Sequence, residues 1–327
     1  MKRRHVWAAA AMLASADRDG AAAANGRALR LGLLWTHEAS RAPSVDDSFL
    51  AELAKHGYER GRNLVIEGRS AHRAGVDAAA AELVALKVDV IYAMGGTAPA
   101  LSAKRATSSI PIVFTSADPV GFGLVSSLAH PGGNLTGISI QGSVITAKQM
   151  EAMAEALGSL RSMAYIHATD APSQAWFPSF VAAATSAARA LGVRTEFHVV
   201  SGLEAYEPLV QELARRKIDA VEPMPGTPSF AFSGADSERI AAMFLRHRLP
   251  AIGPARRGFL LVCEFAEDLI SRRIAYLVGR IANGTRPADL PVEEFSSLRL
   301  IVNAKVARSL GIALPRPLLL RADEVIA

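Results

Sequence analysis

The sequence predicts an α/β protein of two doubly wound, Rossmann-like domains, each a parallel sheet with helices on both faces, joined by a hinge. Three observations carry this. Short apolar runs of strand length alternate with stretches whose apolar residues recur three or four positions apart, as on one face of a helix. The connections are short and rich in Gly, Pro, Asp and Ser, which suits right-handed strand–helix–strand crossovers. The chain has 327 residues, half of them apolar. That is long for one core and enough material for two.

The alternation runs along the chain. Leu29 to Trp35 reads as the first core strand, ending at Thr36, His37 and Glu38 before a polar loop. Asp46 or Asp47 can cap a helix that carries Phe49, Leu50 and Leu53 on one face and stops at Gly57. Leu64 to Ile66 reads as a short strand, Val76 to Lys87 as an amphipathic helix, and Val88 to Met94 as a strand closed by Gly95 and Gly96. Thr97, Ala98 and Pro99 open the next helix, where a proline in the first turn gives up no hydrogen bond. That helix runs to about Thr107. Ile110 to Phe114 is the next buried strand, stopped by Thr115, Ser116, Ala117, Asp118 and Pro119, and Leu135 to Ile140 follows the turn Pro131-Gly132-Gly133-Asn134.

The same grammar then restarts. Helices are expected over Thr146–Leu157, Gln174–Leu191, Leu203–Lys217 and Asp236–His247. Strands are expected over Met163–His167, Val193–Val200 and Ile218–Val221, with another beginning at Pro250–Gly253 and a helix over Ile274–Gly284. No sequence repeat links the halves.

Composition excludes several classes of function. A formal net charge of +5, part of it at the front of the chain, is too modest for a dedicated nucleic-acid binder, so no nucleic-acid partner is expected. The single cysteine, Cys263, forbids an internal disulfide and a cysteine zinc cluster. Its apolar surroundings, Leu260 to Phe265, make it a buried structural thiol. The eight histidines show no metal-ligand spacing, and no cofactor or metal is expected. G-x-S-x-G, Walker, H-E-x-x-H and G-x-G-x-x-G motifs are all missing from the sequence. No apolar run approaches the roughly 18 residues that span a membrane. Residues 1–28 read as an export signal or, alternatively, a disordered alanine-rich arm. Lys2-Arg3-Arg4-His5 precedes an apolar stretch from Val6 to Ala16, with A-x-A-like sites at Ala14-Ser15-Ala16 and Ala22-Ala23-Ala24.

In an open α/β sheet, ligands sit at the carboxyl ends of the strands. Candidate ligand residues follow from that rule. Two glycines before Thr97 let the backbone come close to a ligand. The free N–H groups of Gly96, Thr97 and Ala98 and the Thr97 hydroxyl can take an anionic group such as a carboxylate; the alternative is a plain strand-to-helix turn. Ser116 and Ala117 can add a hydroxyl and an N–H. Asp118 can accept from a ligand ammonium or merely cap the next segment. Trp35 can stack on a ring or pack in the core, with Thr36 beside it. In the second domain, Thr169 and Asp170 follow a strand, and Glu222 ends a strand where it can answer a ligand amine.

One segment is more specific than any of these. Asp118 to Gly137 reads DPVGFGLVSSLAHPGGNLTG, and it resembles the ABC-transporter substrate-binding protein family related to tryptophan- and phenylalanine-binding components of bacterial importers. The resemblance extends over residues 29–326. It is carried again by Gly284 to Val292 (GTRPADLPV), Leu300 to Lys305, Ala307 to Gly311 and Leu320 to Ile326. Arg256 stands where many relatives have arginine. The chain departs from the family at Arg257 to Glu264, where relatives carry a Gly-Gly turn and a Tyr-Gly pair, and in the loop from His167 to Pro172.

The resemblance implies a type I periplasmic-binding-protein fold. Its first domain would span 29–138 plus about 264–292, and its second 139–263 plus about 293–327. The chain would cross near Leu135–Ile140, Leu261–Ala266 and Pro291–Leu300. A small solute, an amino acid or related carboxylate with aromatic ones included, would be held between the domains by hinge closure and handed to an ABC permease. The resemblance thus implies an exported, periplasmic, monomeric protein that does no chemistry. The alternatives are a ligand-sensing module for a membrane receptor and a cofactor-independent two-domain enzyme. An enzyme of the glutamate-racemase type would need two facing cysteines.

Overall fold

A computed structural model describes residues 28–36, 45–71, 75–140, 142–168, 177–223, 234–253 and 258–327. The expected export signal therefore lies outside the described residues, apart from Ala28.

The chain first builds one parallel sheet. Strands β1 (Leu29–Thr36), β2 (Leu64–Ala71), β3 (Val90–Met94), β4 (Ile112–Ser116) and β5 (Leu135–Ile140) alternate with helices α1 (Asp47–Lys55), α2 (Val76–Ala85) and α3 (Thr97–Ala106). Both faces of this sheet are covered, which is why its strands read as near-continuous apolar runs. Leu29, Leu31 and Leu33 enter one core, while Leu34 and Phe114 enter the other, with Ala80 and Leu83 of α2 and Ala100 of α3. Asp46 caps α1, its Oδ1 accepting from Phe49 N at 2.8 Å.

The second half repeats the pattern with α4 (Gly142–Leu157), β6 (Ser162–Ala168), α5 (Phe177–Leu191), β7 (Arg194–Val200), α6 (Tyr206–Arg215), β8 (Ala220–Pro223) and α7 (Gly234–Arg246). Period two sorts β6 between two cores. Met163 and Tyr165 face Met150 and Met153 of α4, whereas Ala164 and Ile166 face Val210 of α6 and Phe244 of α7. The rest of the chain is β9 (Leu261–Phe265), α8 (Glu267–Ala282), β10 (Glu293–Phe295), β11 (Leu298–Asn303), α9 (Ala304–Leu310), α10 (Arg316–Arg321) and β12 (Glu324–Ile326).

Six strands form the first sheet, in the order β10-β5-β4-β3-β1-β2, all parallel. The other six fall into β7-β6-β8 and β12-β11-β9. The expected strand at Pro250–Gly253 is reduced to single bridges from Ala251 to Val221 and from Ile252 to Leu261, both parallel. Those two residues bridge β8 and β9 and so link the two three-stranded sheets into one layer, the second sheet.

Several boundaries differ from expectation for identifiable reasons. β2 continues to Ala71 because it is paired along its whole length with β1 and, as an edge strand, tolerates Glu67, Arg69 and Ser70. β4 begins after Pro111, which has no N–H for the ladder, and continues through buried Thr115 and Ser116. The helix expected over Leu203–Lys217 is a 3₁₀ turn, Leu203–Ala205, followed by α6.

Topology brings particular sheet edges together. β5 and β10 leave the first sheet at its carboxyl edge, toward α4 and β11. β9 runs parallel to Ala251–Ile252 and so leaves the second sheet at its carboxyl edge, toward α8. β11 is antiparallel to β9 and therefore starts at that same edge. All three passages thus connect carboxyl edge to carboxyl edge. The junction is packed by the rings of Phe265 and Phe295, 6.5 Å apart. It is also tied by Arg299 of β11 donating to Asp268 of α8 at 2.6 Å.

Candidate functional site

On the first sheet, the residues at the carboxyl ends of β1, β3 and β4 converge. β3 ends at Met94, and the chain then passes through Gly95 (φ +81°) and Gly96 (φ +113°) into α3. These conformations are ones that L side chains resist. They also serve packing, because a Cβ on Gly95 would lie 2.9 Å from both Cδ1 and Nε1 of Trp35. The Trp35 indole therefore lies over the glycine turn, half-buried, rather than deep in the core. Thr97 opens α3, and its Oγ1 is 2.8 Å from Oγ of Ser116, the last residue of β4. Ser116 is buried and Thr97 half-buried. The first N–H groups of a helix have no intrahelical acceptors, so this corner presents backbone donors, a hydroxyl pair and an indole on one edge. Ala98 lies within the same first turn.

Gly95→Ala is expected to lower stability by about 1–3 kcal/mol, since a strained φ and a displaced indole act together. Urea unfolding measures this, and a midpoint equal to that of the unsubstituted protein would remove Trp35 from the turn.

Asp118 does something more local. Its Oδ1 accepts from Gly121 N at 2.8 Å, and its carbonyl accepts from Phe122 N at 3.0 Å. A Cβ on Gly121 would meet that carboxylate at 2.1 Å. The cap role that the sequence left open is the one the geometry displays, while Ala117 and Asp118 both remain exposed.

On the second sheet, Glu222 is the described candidate; Thr169, Asp170 and Arg256 lie outside the described residues. Glu222 is 3% exposed on β8, directly across from Tyr165 of β6. The Gln149 side chain of α4 hydrogen-bonds its carboxyl, yet burial pushes the carboxyl up to about 8. Among the described residues its Oε2 has no hydrogen-bond partner, and the Tyr165 hydroxyl has none either. Burial, and then the nearby Glu222 charge, also raise the Cys263 thiol, to about 12. Cys263 is expected from the sequence to be buried, whereas here it is half-buried. His167, two positions along β6 from Tyr165, is 1% exposed and lies among the rings of Phe177, Phe180 and Phe197. Both its ring nitrogens lack partners among the described residues, and burial, with a smaller contribution from His198, lowers it to about 4. Sequence reasoning passed over Gln149, Tyr165 and His167. The usable signal was polar residues placed every second position in an otherwise apolar strand.

Comparison with known proteins places this arrangement. The family described as ABC transporter substrate binding protein matches residues 42–175 and 252–326. The chain belongs to that family. It is 24% identical over 285 residues to the tyrosine-binding protein of Clostridioides difficile, covering 82% of this chain and 77% of that one. Its fold is similar to a Streptococcus pneumonia ABC domain in complex with L-Trp, with a TM-score of 0.76, 22% identity, and coverage of 91% of this chain and all of the other. It is also similar to a ligand-free, open substrate-binding protein with adhesive properties from Clostridium difficile (TM-score 0.68, 22% identity, 91% and 99% coverage). The type I periplasmic-binding-protein fold expected for this substrate-binding protein is thereby established. Among the described residues no helix is long and apolar enough to cross a membrane.

Proposed function

We propose that this substrate-binding protein captures an amino acid, or a related small carboxylate with aromatic ones included, between two lobes built on the two sheets, and delivers it to an ABC importer. Without chemistry of its own, it would work as a monomer in the periplasm, with a membrane permease as its protein partner and no nucleic acid. The observation that carries this reading is the presence of unlike groups toward the carboxyl edges of the two sheets. A hydroxyl-bearing helix start, suited to a carboxylate, lies at one carboxyl edge. A buried carboxyl without an ion-pair partner among the described residues lies toward the other. In this reading Gly96, Thr97, Ala98, Ser116 and Ala117 hold the acid end of the solute, with Trp35 and Thr36 as a wall. Glu222 answers the amine, and Thr169, Asp170 and Arg256 are the further candidate contacts of the second lobe. The relatives that bind tyrosine and L-Trp support an aromatic amino acid.

The test is a thermal-shift screen of the purified chain against amino acids, small carboxylates and sugars, followed by calorimetry. A ligand that binds only the folded state raises the melting temperature by mass action. Thr97→Val should weaken the binding of a carboxylate ligand by about 1–3 kcal/mol, because it removes one hydroxyl and leaves Ser116 without its partner. Unchanged affinity would take Thr97 out of the site, and a ligand that is consumed would replace capture with catalysis.

A further inference from the structure

Among the described residues, Glu222 is built into its surroundings as an acid without a counter-ion. Facing it are Gln149, with Lys148 one position before it, on α4; Tyr165, with His167 farther along, on β6; and Cys263 on β9, with Arg321 of α10 beyond. Neither cation turns toward it. Lys148 Nζ reaches the carbonyl of Ser296 at 3.4 Å, and Arg321 is paired with Glu155. Among the described residues Gln149 is the one side chain that donates to it, and Oε2 has no partner. Taking an ionised carboxylate out of water without a cation costs more than keeping its proton.

Resting on the reading of the junction as a solute cleft, we propose that Glu222 is a neutral acid in the ligand-free protein, and that a ligand ammonium arriving at Oε2 displaces its proton to solvent. The O–H bond breaks, the proton goes to the buffer, the carboxylate pairs with the ammonium, and no other bond changes. The neighbours cannot keep the proton, since Tyr165 and Cys263 are themselves held in their protonated forms by burial, and burial keeps His167 neutral down to about pH 4. Capture is therefore coupled to pH. Below the free carboxyl's own titration near pH 8, affinity weakens by up to about tenfold per pH unit, as one-proton linkage requires.

The experiment is calorimetry of the full chain with L-tyrosine at pH 7 in phosphate and in Tris, whose different ionisation heats count the protons released. It is run beside infrared difference spectra of the ligand-free protein and its Glu222→Gln variant. Release of close to one proton per L-tyrosine is expected, with none for 3-(4-hydroxyphenyl)propionate, which lacks the amine. A protonated-carboxyl band at pH 7 that Glu222→Gln removes is also expected. Binding of L-tyrosine without proton release overturns the proposal. So does an ionised-carboxylate band assigned to Glu222 in the free protein, whatever binds. If no amino acid binds while the protonated band is present, the solute-capture reading fails and the coupling falls with it. The band separates that outcome from a failure of the proton state itself.

Discussion

Gly137→Ala should cost the protein about 3 kcal/mol or more of stability, and should do so without touching any ligand residue. Gly137 pairs with Phe114 between the central strands β4 and β5. A Cβ there would lie 2.1 Å from the Phe114 carbonyl oxygen and 2.8 Å from its amide nitrogen. These are backbone atoms, so no rotamer change can relieve the overlap; the strands must separate. Overpacking against movable side chains typically costs about 1–3 kcal/mol, and a backbone collision belongs at or beyond the top of that range. The loss should fall on the first sheet, because Ile112, Val113 and Phe114 on one strand and Leu135 and Ile138 on the other are all buried there. β5 also leads directly into α4, so the variant should loosen the junction and weaken solute binding. Urea unfolding followed by far-UV circular dichroism is the measurement. A midpoint within 0.5 kcal/mol equivalents of the unsubstituted protein, roughly the spread of neutral surface changes, would show that β4 and β5 accommodate the methyl group and that the close approach is not structural.

This glycine shows where the sequence was legible and where it was not. The parallel architecture could be read because β1, β3 and β4 are apolar on both faces, a pattern that sheets covered by helices on each side impose. The Gly95-Gly96-Thr97 turn could be read because glycines before a helix start have few other uses. Gly137 gave no such signal, since nothing local shows that a carbonyl from 23 positions earlier occupies the place of its side chain. β10, β11 and β12 were illegible as strands for a related reason. They are short, and Glu293, Arg299 and Glu324 give them no clean alternation; pairing with β5, β9 and β11 makes them strands. Glu222 was visible as a polar residue at the end of an apolar run. Its depth was not visible, because that depends on α4, whose Gln149 arrives from a separate part of the chain. Asp118 is the reverse case, where the sequence offered two roles and the turn from Asp118 to Gly121 displays one of them.

The stability of the unsubstituted protein should fall as the pH rises from about 6.5 to 8, and Glu222→Gln should remove most of that fall. The sign follows from the direction of the shift. Burial holds the Glu222 carboxyl up to about 8, against an ordinary 4.5. Below pH 4.5 both folded and unfolded chains keep the proton, and Glu222 contributes no pH dependence. Between the two values the unfolded chain has released it while the folded chain retains it. The folded state thus binds one more proton, and raising the pH favours unfolding. The slope is about 1.4 kcal/mol per pH unit, so the accumulated loss above pH 8 is on the order of 3–5 kcal/mol. His167 acts in the opposite sense and in a different window. Its folded value is lowered to about 4 from an ordinary 6.5, so its contribution is present above pH 6.5 and is lost as the pH falls toward 4. The two overlap between pH 4.5 and 6.5, where they partly cancel, and only the difference between the unsubstituted protein and Glu222→Gln isolates the carboxyl. Urea midpoints at pH 5, 6, 7 and 8 decide it. Curves that run parallel would mean that Glu222 titrates alike in the folded and unfolded chains and has found a counter-ion. Curves that diverge at low pH and meet at high pH would mean that the buried amide of the variant costs about as much as the buried charge it removes.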